Sequence, residues 1–311
     1  MDDRLKRVTV APPRSCRASP RCIFYASRCV SSNTSWRVDQ GDAIELLRRE
    51  PAGSVDLVYM DPPFATGRIL RGREASDRFD DRWPDRGAYF TFMRSLLHEA
   101  HRVLKSTGSV MVHCDWRTCH HLWIELEACF GAEHAVNHLI WTYGLGGSGP
   151  RSFARKHDDI LFFAKSSAYW FDAPRVPSRS RRMAGTPKKA TDVLDIPSLN
   201  NMALERTGWP SQKPLELLRV LIGAACPSGG AVLDPCCGSG TALVAAVELG
   251  RRAIGFDRSL RAVAIATRRL RATSAPQAED AAAAIDSGAK RPSRRRKRSR
   301  ATSRLGATVV K

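Results

Sequence analysis

No stretch of the chain stays apolar for the roughly 18 residues that a membrane-crossing helix needs. The only apolar cluster near the start, Cys22 to Tyr25, is too short for the core of a signal peptide. CxxC spacing is absent among the nine cysteines, and their number is odd. That argues against a disulfide framework and for reduced thiols, so the expected setting is the cytoplasm. The nearest approach to a metal set, His113, Cys114, Cys119, His120 and His121, lies at a strand end and on the helix after it. Core and surface roles account for those residues, and no metal is expected. Internal repeats are lacking too. Acidic residues are scarce, 31 Asp and Glu against 50 Lys and Arg, which leaves a net charge of +19.

The 311 residues have room for one large domain or a domain with an insertion. With 43% hydrophobic and 26% charged residues the composition is that of an ordinary globular protein, which excludes collagen-like, wholly disordered and coiled-coil chains. Residues 1–35 carry 7 basic and 2 acidic groups and residues 272–311 carry 10 and 3, so most of the excess sits at the two ends. A basic body between more basic ends points to a polyanionic partner, and nucleic acid is the common one.

Residues 1–35 show no periodicity and read as a poorly ordered leader or as a start placed too early. A strand from Arg37 leads to Gly41 and Asp42, a helix follows over 43–49, and Ser54 to Met60 (SVDLVYM) is a mostly apolar strand. It must stop at Asp61-Pro62-Pro63-Phe64, because two prolines cannot continue a ladder. The carboxyl edge where it stops is where open α/β sheets bind ligands. Residues 65–88 have neither period and read as a long mobile loop. Tyr89 to Leu104 has helical spacing, and strands over 108–113, 137–143 and 159–164 alternate with a helix over 118–129. Between 165 and 206 periodicity vanishes amid prolines and basic residues, the mark of an inserted segment. A helix from Pro214 to Ala225, a strand over 231–233, a helix over 241–249, a strand over 252–256 and a helix over 259–270 restore the alternation. The tail, with RPSRRRKRSR at 291–300, reads as disordered. Lying outside every motif, it would act on a nucleic acid only through phosphates.

Two strand ends carry the chemistry. Asp234-Pro-Cys-Cys-Gly-Ser-Gly-Thr241 runs from a strand into a helix, where glycines let backbone amides approach a ligand and the helix start favours a negative group. Asp257 closes the next strand, placed to accept hydrogen bonds from ribose hydroxyls. A nucleoside-containing cofactor follows from that pair. The other strand end is DPPF at 61–64.

With these motifs the chain resembles the DNA methyltransferases that methylate the exocyclic amino group of adenine or cytosine, in the permuted order that puts the catalytic motif before the cofactor motif. The resemblance rests on GDAIELL (41–47), VDLVYMDPPF (55–64), LIWTYGLGG (139–147), KHDDILFFAK (156–165), TGWPSQKP (207–214), LDPCCGSGT (233–241) and IGFD (254–257), and it spans about 36–270. It implies a Rossmann-like, S-adenosylmethionine-dependent α/β sheet, circularly permuted. The catalytic half would be 36–165, the target-recognition insert 166–206 and the cofactor half 207–271. The expected partner is double-stranded DNA, and the location the cytoplasm, in association with the nucleoid. An insert of about 40 residues is small for reading several base pairs, so the site is short or a second subunit forms a homodimer.

The resemblance makes Asp61, Pro62, Pro63 and Phe64 the catalytic set. An exocyclic amine is a poor nucleophile because its lone pair is delocalised into the ring. Asp61 and the Pro62 carbonyl would take its two N–H groups and Phe64 would stack on the base, which must first leave the duplex. Asp234, Cys236, Gly238, Gly240 and Thr241 would line the amino-acid end of the cofactor, Asp257 its ribose and Asp42 its adenine, with Lys213 meeting its carboxylate. Cys236 and Cys237 stand where the family has a Phe-small pair, and Phe64 where Tyr is commoner. Arg68 and Trp83, with Arg71 and Arg73, would close over the flipped nucleotide. Arg179, Arg181, Arg182 and Lys188 of the insert would meet DNA. His157 matches a KHE-like element of the family.

The acidic first residue of DPPF favours N6 of adenine over N4 of cytosine, whose enzymes more often start that motif with Ser. Two other classes compete. A nicotinamide-dependent oxidoreductase would use the glycine loop and Asp257 but leaves DPPF and SQKP unexplained, and a non-catalytic DNA-binding protein would not need every polar motif residue. Cofactor-binding calorimetry separates both from a methyltransferase.

Overall fold

A computed structural model describes residues 35–144, 149–178, 181–183, 185–200 and 202–274. The expected leader up to residue 34, the tail from residue 275, the middle of the glycine-rich turn after Tyr143, and Arg179 lie outside the described residues.

Twelve strands and six α-helices follow one another as β1 (Trp36–Gln40), α1 (Ala43–Arg49), β2 (Val55–Met60), β3 (Ile69–Arg71), β4 (Arg78–Asp80), α2 (Arg86–Val103), β5 (Leu104–Cys114), α3 (Cys119–Phe130), β6 (Ala135–Thr142), β7 (His157–Ala164), β8 (Arg175–Pro177), β9 (Pro187–Lys189), β10 (Val193–Asp195), α4 (Leu215–Ala225), β11 (Ala231–Asp234), α5 (Thr241–Glu248), β12 (Arg252–Asp257) and α6 (Leu260–Ser274) among the described residues. Eight strands form one sheet in the order β1-β12-β11-β2-β5-β7-β6-β10. Every neighbouring pair is parallel except those that β7 makes with β5 and β6.

All six residues of β2 are buried, the continuous apolar run expected of a parallel strand covered on both faces. Leu57 and Tyr59 join a core with Phe162, α4 and α5, while Val58 and Met60 join a second core with α1, α2 and α3. The polar exception, Asp56, is spent: it accepts from Lys105 Nζ at 2.8 Å and from the Ala231 amide at 2.8 Å, tying β2 to β11.

The mobile loop expected over 65–88 is instead a hairpin, β3 paired antiparallel with β4. Buried carboxylates hold it. Asp81 accepts from the amides of Ala65 and Thr66, and Asp77 accepts from Arg261 of α6. Such a segment has no apolar period because its ordering groups are polar. Within 166–206, β8 and β9 form a second hairpin, and β10 adds an edge strand to the main sheet beside β6.

Strand order reverses between β11, which leads to β12 on one side, and β2, which leads to β5 on the other. A crevice opens at the carboxyl ends of strands at such a switch point. Asp61 follows β2 and Asp234 ends β11, so the two motifs, far apart in sequence, meet there.

Candidate active site

A cavity of about 640 Å³ occupies that crevice. Its walls include Asp61, Pro62, Pro63 and Phe64 from the β2 end, Asp234, Cys236, Gly238 and Thr241 from the β11 end, and Asp42, Asp257, Lys213 and Trp83. The geometry thus gathers nearly every expected catalytic and cofactor residue around one space.

The glycine turn is built locally. The Asp234 carboxylate accepts from the Cys236 amide at 3.0 Å, and Asp257 accepts from the amides of Gly238 at 2.9 Å and Ser259 at 2.8 Å. Gly238 and Gly240 have φ of +50° and +76°, conformations that L side chains rarely adopt. Gly240 does not face the cavity: a Cβ there would lie 2.7 Å from the Ala266 Cβ of α6, so this glycine serves close packing. The Thr241 hydroxyl accepts from Arg269, a partner the sequence did not suggest, which also bonds the Ser239 carbonyl at 2.9 Å. Burial pushes the carboxyls of Asp234 and Asp257 above the ordinary range, opposed at each by backbone amides. Burial likewise raises the thiols of Cys236 and Cys237 well above their usual value, so both act as small apolar packing groups. Asp42 caps α1 through the amides of Ile44 and Glu45, and its other oxygen accepts from Arg258 at 2.7 Å.

The DPPF loop is held from a distance. Lys213, expected at a cofactor carboxylate, donates instead to both oxygens of Asp61 at 2.7 and 2.6 Å. Its side chain is only 10% exposed and its ammonium lies 5.1 Å from the centre of the Phe64 ring. The turn before it closes on itself, Gln212 accepting from the Thr207 amide and donating to the Glu205 carbonyl, and this sets Lys213 ahead of α4. Phe64 stacks on the buried imidazole of His113, with centroids 5.8 Å apart and planes at 26°. That imidazole is fixed by Tyr59 at 3.1 Å on Nδ1 and Asp158 at 3.2 Å on Nε2, and Tyr143 donates to Asp158 at 2.9 Å. Although burial disfavours the charge, hydrogen bonding to His113 holds the Asp158 carboxyl below its ordinary range. Directly after Phe64, Ala65 has φ of +54°, and Asp81 fixes the strained turn through Ala65 and Thr66.

His113, Asp158 and Asp81 were missed as site residues. For His113 and Asp158 the available signal was their type, since a His or Asp inside an apolar strand requires a partner, and Asp81, in a polar segment, gave none. His157, singled out in KHDD, is exposed, and its neighbour Asp158 makes the buried contact. Trp83 lines the cavity and packs edge-on against Tyr89 at 5.3 Å. Arg68, Arg71 and Arg73 are exposed on the hairpin, and Arg68 is not part of the cavity wall. Arg182 and Lys188 are exposed around the β8–β9 hairpin, also away from that wall. The Arg181 side chain lies outside what is described. Among the described residues no group of three or more His, Cys, Asp or Glu is placed to hold a metal ion, and no helix is long and apolar enough to cross a membrane.

A sheet of this order with a glycine turn at its switch point is the Rossmann-like fold of S-adenosylmethionine-dependent DNA methyltransferases. Among solved structures, the fold is similar to that of the PvuII cytosine-N4-specific DNA methyltransferase, 18% identical with a TM-score of 0.60 over 77% of this chain and 88% of that one. The M1.HpyAVI–SAM complex is 19% identical with a TM-score of 0.55 over 76% and 98%. In sequence, the type II methyltransferase M.HpaI of Haemophilus parainfluenzae is 28% identical over 74% of this chain and 72% of its own length. The DNA adenine methyltransferase YhdJ of Escherichia coli is 27% identical over 80% and 87%. The DNA methylase (N6/N4 methyltransferase) family profile matches residues 55–268, and the chain belongs to that family.

The family's cofactor is S-adenosylmethionine, and the wall chemistry fits it. A carboxylate-rich surface from Asp42, Asp234 and Asp257 suits a ligand that is cationic at one end and carries nucleoside hydroxyls at the other. A Cβ at Gly238 would lie 3.1 Å from the Trp209 Nε1 on a backbone of positive φ, so a side chain there would be both crowded and strained at the cavity wall.

Proposed function

We propose that this protein methylates N6 of adenine in a specific sequence of double-stranded DNA, acting on a base flipped out of the duplex. The observation that carries the reading is Asp61 on the cavity wall, between the glycine turn and the Phe64 ring, with its carboxylate steadied by Lys213. An ionised carboxylate is an acceptor only, so Asp61 accepts an amine N–H while Lys213 fixes its rotamer. The Pro62 carbonyl takes the second N–H, which localises the nitrogen lone pair. Phe64, backed by His113, offers a stacking plate for the base. Bound S-adenosylmethionine supplies an electrophilic methyl group on a positively charged sulfur. Asp257 and Asp42 orient its nucleoside, and Asp234 at the mouth of the glycine turn orients its amino-acid end.

The catalytic motif precedes the cofactor motif in the chain, the permuted order within the family. We assign base reading to the segment 166–206 and nonspecific phosphate contacts to the basic tail, with the protein at the nucleoid of the cytoplasm and either a short recognition site or a second subunit of a homodimer sharing the reading. The test is incubation with labelled S-adenosylmethionine and DNA, followed by mass spectrometry of the nucleosides. N6-methyldeoxyadenosine is expected. N4-methyldeoxycytidine would move the target to the other base of the family, and the absence of any methylated nucleoside would overturn the reading.

A further inference from the structure

Past the imidazole that backs Phe64, β5 runs out through Asp115 to Trp116, and its antiparallel neighbour β7 enters from Arg155 and Lys156. Met60 pairs with Val112, so Asp61 is level with His113 and the end of β5 lies beside the DPPF loop, on the side away from the glycine turn. At this rim Trp116 is 44% exposed and Phe153 is 99% exposed. The Arg155 guanidinium carbon lies 4.1 Å from the centre of the Trp116 ring, and that of Arg117 lies 5.1 Å from it. The stretches 116–121 and 149–157 contain Arg117, Arg151, Arg155 and Lys156 and no acidic residue. The adjoining Asp115 is buried and paired with Arg117.

Phe153, in the stretch that leads to Arg155, and the half-exposed Trp116 under that guanidinium put two aromatic rings in water among arginines, the combination of stacking and phosphate-binding groups that nucleic acids use. Here the rim is cationic, which selects a polyanion with apolar faces. Its place over the Trp116 ring restrains the Arg155 guanidinium, whose forked donors suit a bidentate phosphate contact. We propose that Trp116, Arg151, Phe153 and Arg155 form a duplex-docking surface, with Arg117 held beside Trp116 by Asp115. The arginines hold phosphates flanking the target nucleotide, and Phe153 packs on a neighbouring base face exposed when the target leaves the stack. The proposal rests on the DNA-methylating reading above and adds the place where the duplex lies.

The experiment measures duplex affinity across a salt series for the full chain and for Arg155→Ala, Arg155→Lys and Phe153→Ala, with cofactor calorimetry and methyl transfer on the same preparations. Arg155→Ala is expected to weaken binding to all duplexes by about tenfold and to flatten the log–log salt slope by about 0.9, one phosphate contact. Arg155→Lys keeps the slope and loses part of the affinity. Phe153→Ala weakens binding with the slope unchanged, less so when the target base is mismatched and already unstacked. Cofactor affinity stays at the wild-type value throughout. If the wild type methylates DNA and Arg155→Ala matches it in affinity and slope, the docking surface is wrong while the function stands. A wild type that neither binds nor methylates duplex DNA overturns both.

Discussion

The two loops that leave β11 and β2 lie on neighbouring strands and face one cavity, yet they are held in opposite ways. The glycine turn at 234–240 is shaped mainly by its own residues and by Asp257, at the tip of the adjacent strand, with Arg269 of α6 as its one distant brace. The DPPF loop owes its shape to Lys213, Asp81, His113 and Asp158, drawn from four separate parts of the chain. A site that binds can be encoded in a contiguous stretch. One that must place a carboxylate and an aromatic plate against a variable substrate is braced from outside, because prolines strip the loop of backbone donors of its own.

The largest effect that would sharpen this contrast is on turnover. Asp61→Ala should lower methyl transfer by about 100- to 10,000-fold, the range for losing a positioned acceptor of the reacting proton, measured under single-turnover conditions with saturating DNA. Normal turnover would remove Asp61 from the chemistry. A brace should matter less than the group it braces. Asp81→Ala, which frees Ala65 and Thr66, should cost about 1–3 kcal/mol of stability and slow transfer about 10-fold or more, leaving cofactor affinity intact; thermal melts and rates on one preparation check both. Asp257→Ala should raise the cofactor dissociation constant by about 1.5–3 kcal/mol equivalent.

The smallest effect expected is on pH dependence. Burial raises the carboxyls of Asp234 and Asp257, so they remain partly protonated above the ordinary carboxylate range. A cationic ligand prefers the ionised forms, so cofactor affinity should rise with pH through that range and level off once both have ionised. Calorimetry of wild type and Asp234→Asn would show it, the variant having the flatter profile. The same raised values favour folding at low pH: that contribution is full below the unfolded carboxyl value and is lost as pH rises through the folded one.

The contrast between the loops also explains what the sequence revealed. The α/β alternation was legible because buried strands such as Val55–Met60 and amphipathic helices such as α2 write their environment into apolar spacing. The glycine turn, Asp257 and DPPF were legible because each is contiguous. The β3–β4 hairpin was not, because buried carboxylates and the Arg261 contacts to Asp77 and Glu74 order it, and polar spacing has no period to read. Nor did local pattern show that Lys213 meets Asp61, 152 positions away, or that His113 lies under Phe64. Those contacts exist only once the sheet brings β2, β5 and α4 together.

The division of labour between the loops is tested most directly by cofactor dissociation constants for Asp61→Ala and Asp257→Ala, measured side by side by calorimetry without DNA. The account predicts weakening of at least about tenfold for Asp257→Ala and a value within about threefold of wild type for Asp61→Ala. Equal weakening in both, or a loss confined to Asp61→Ala, would contradict it.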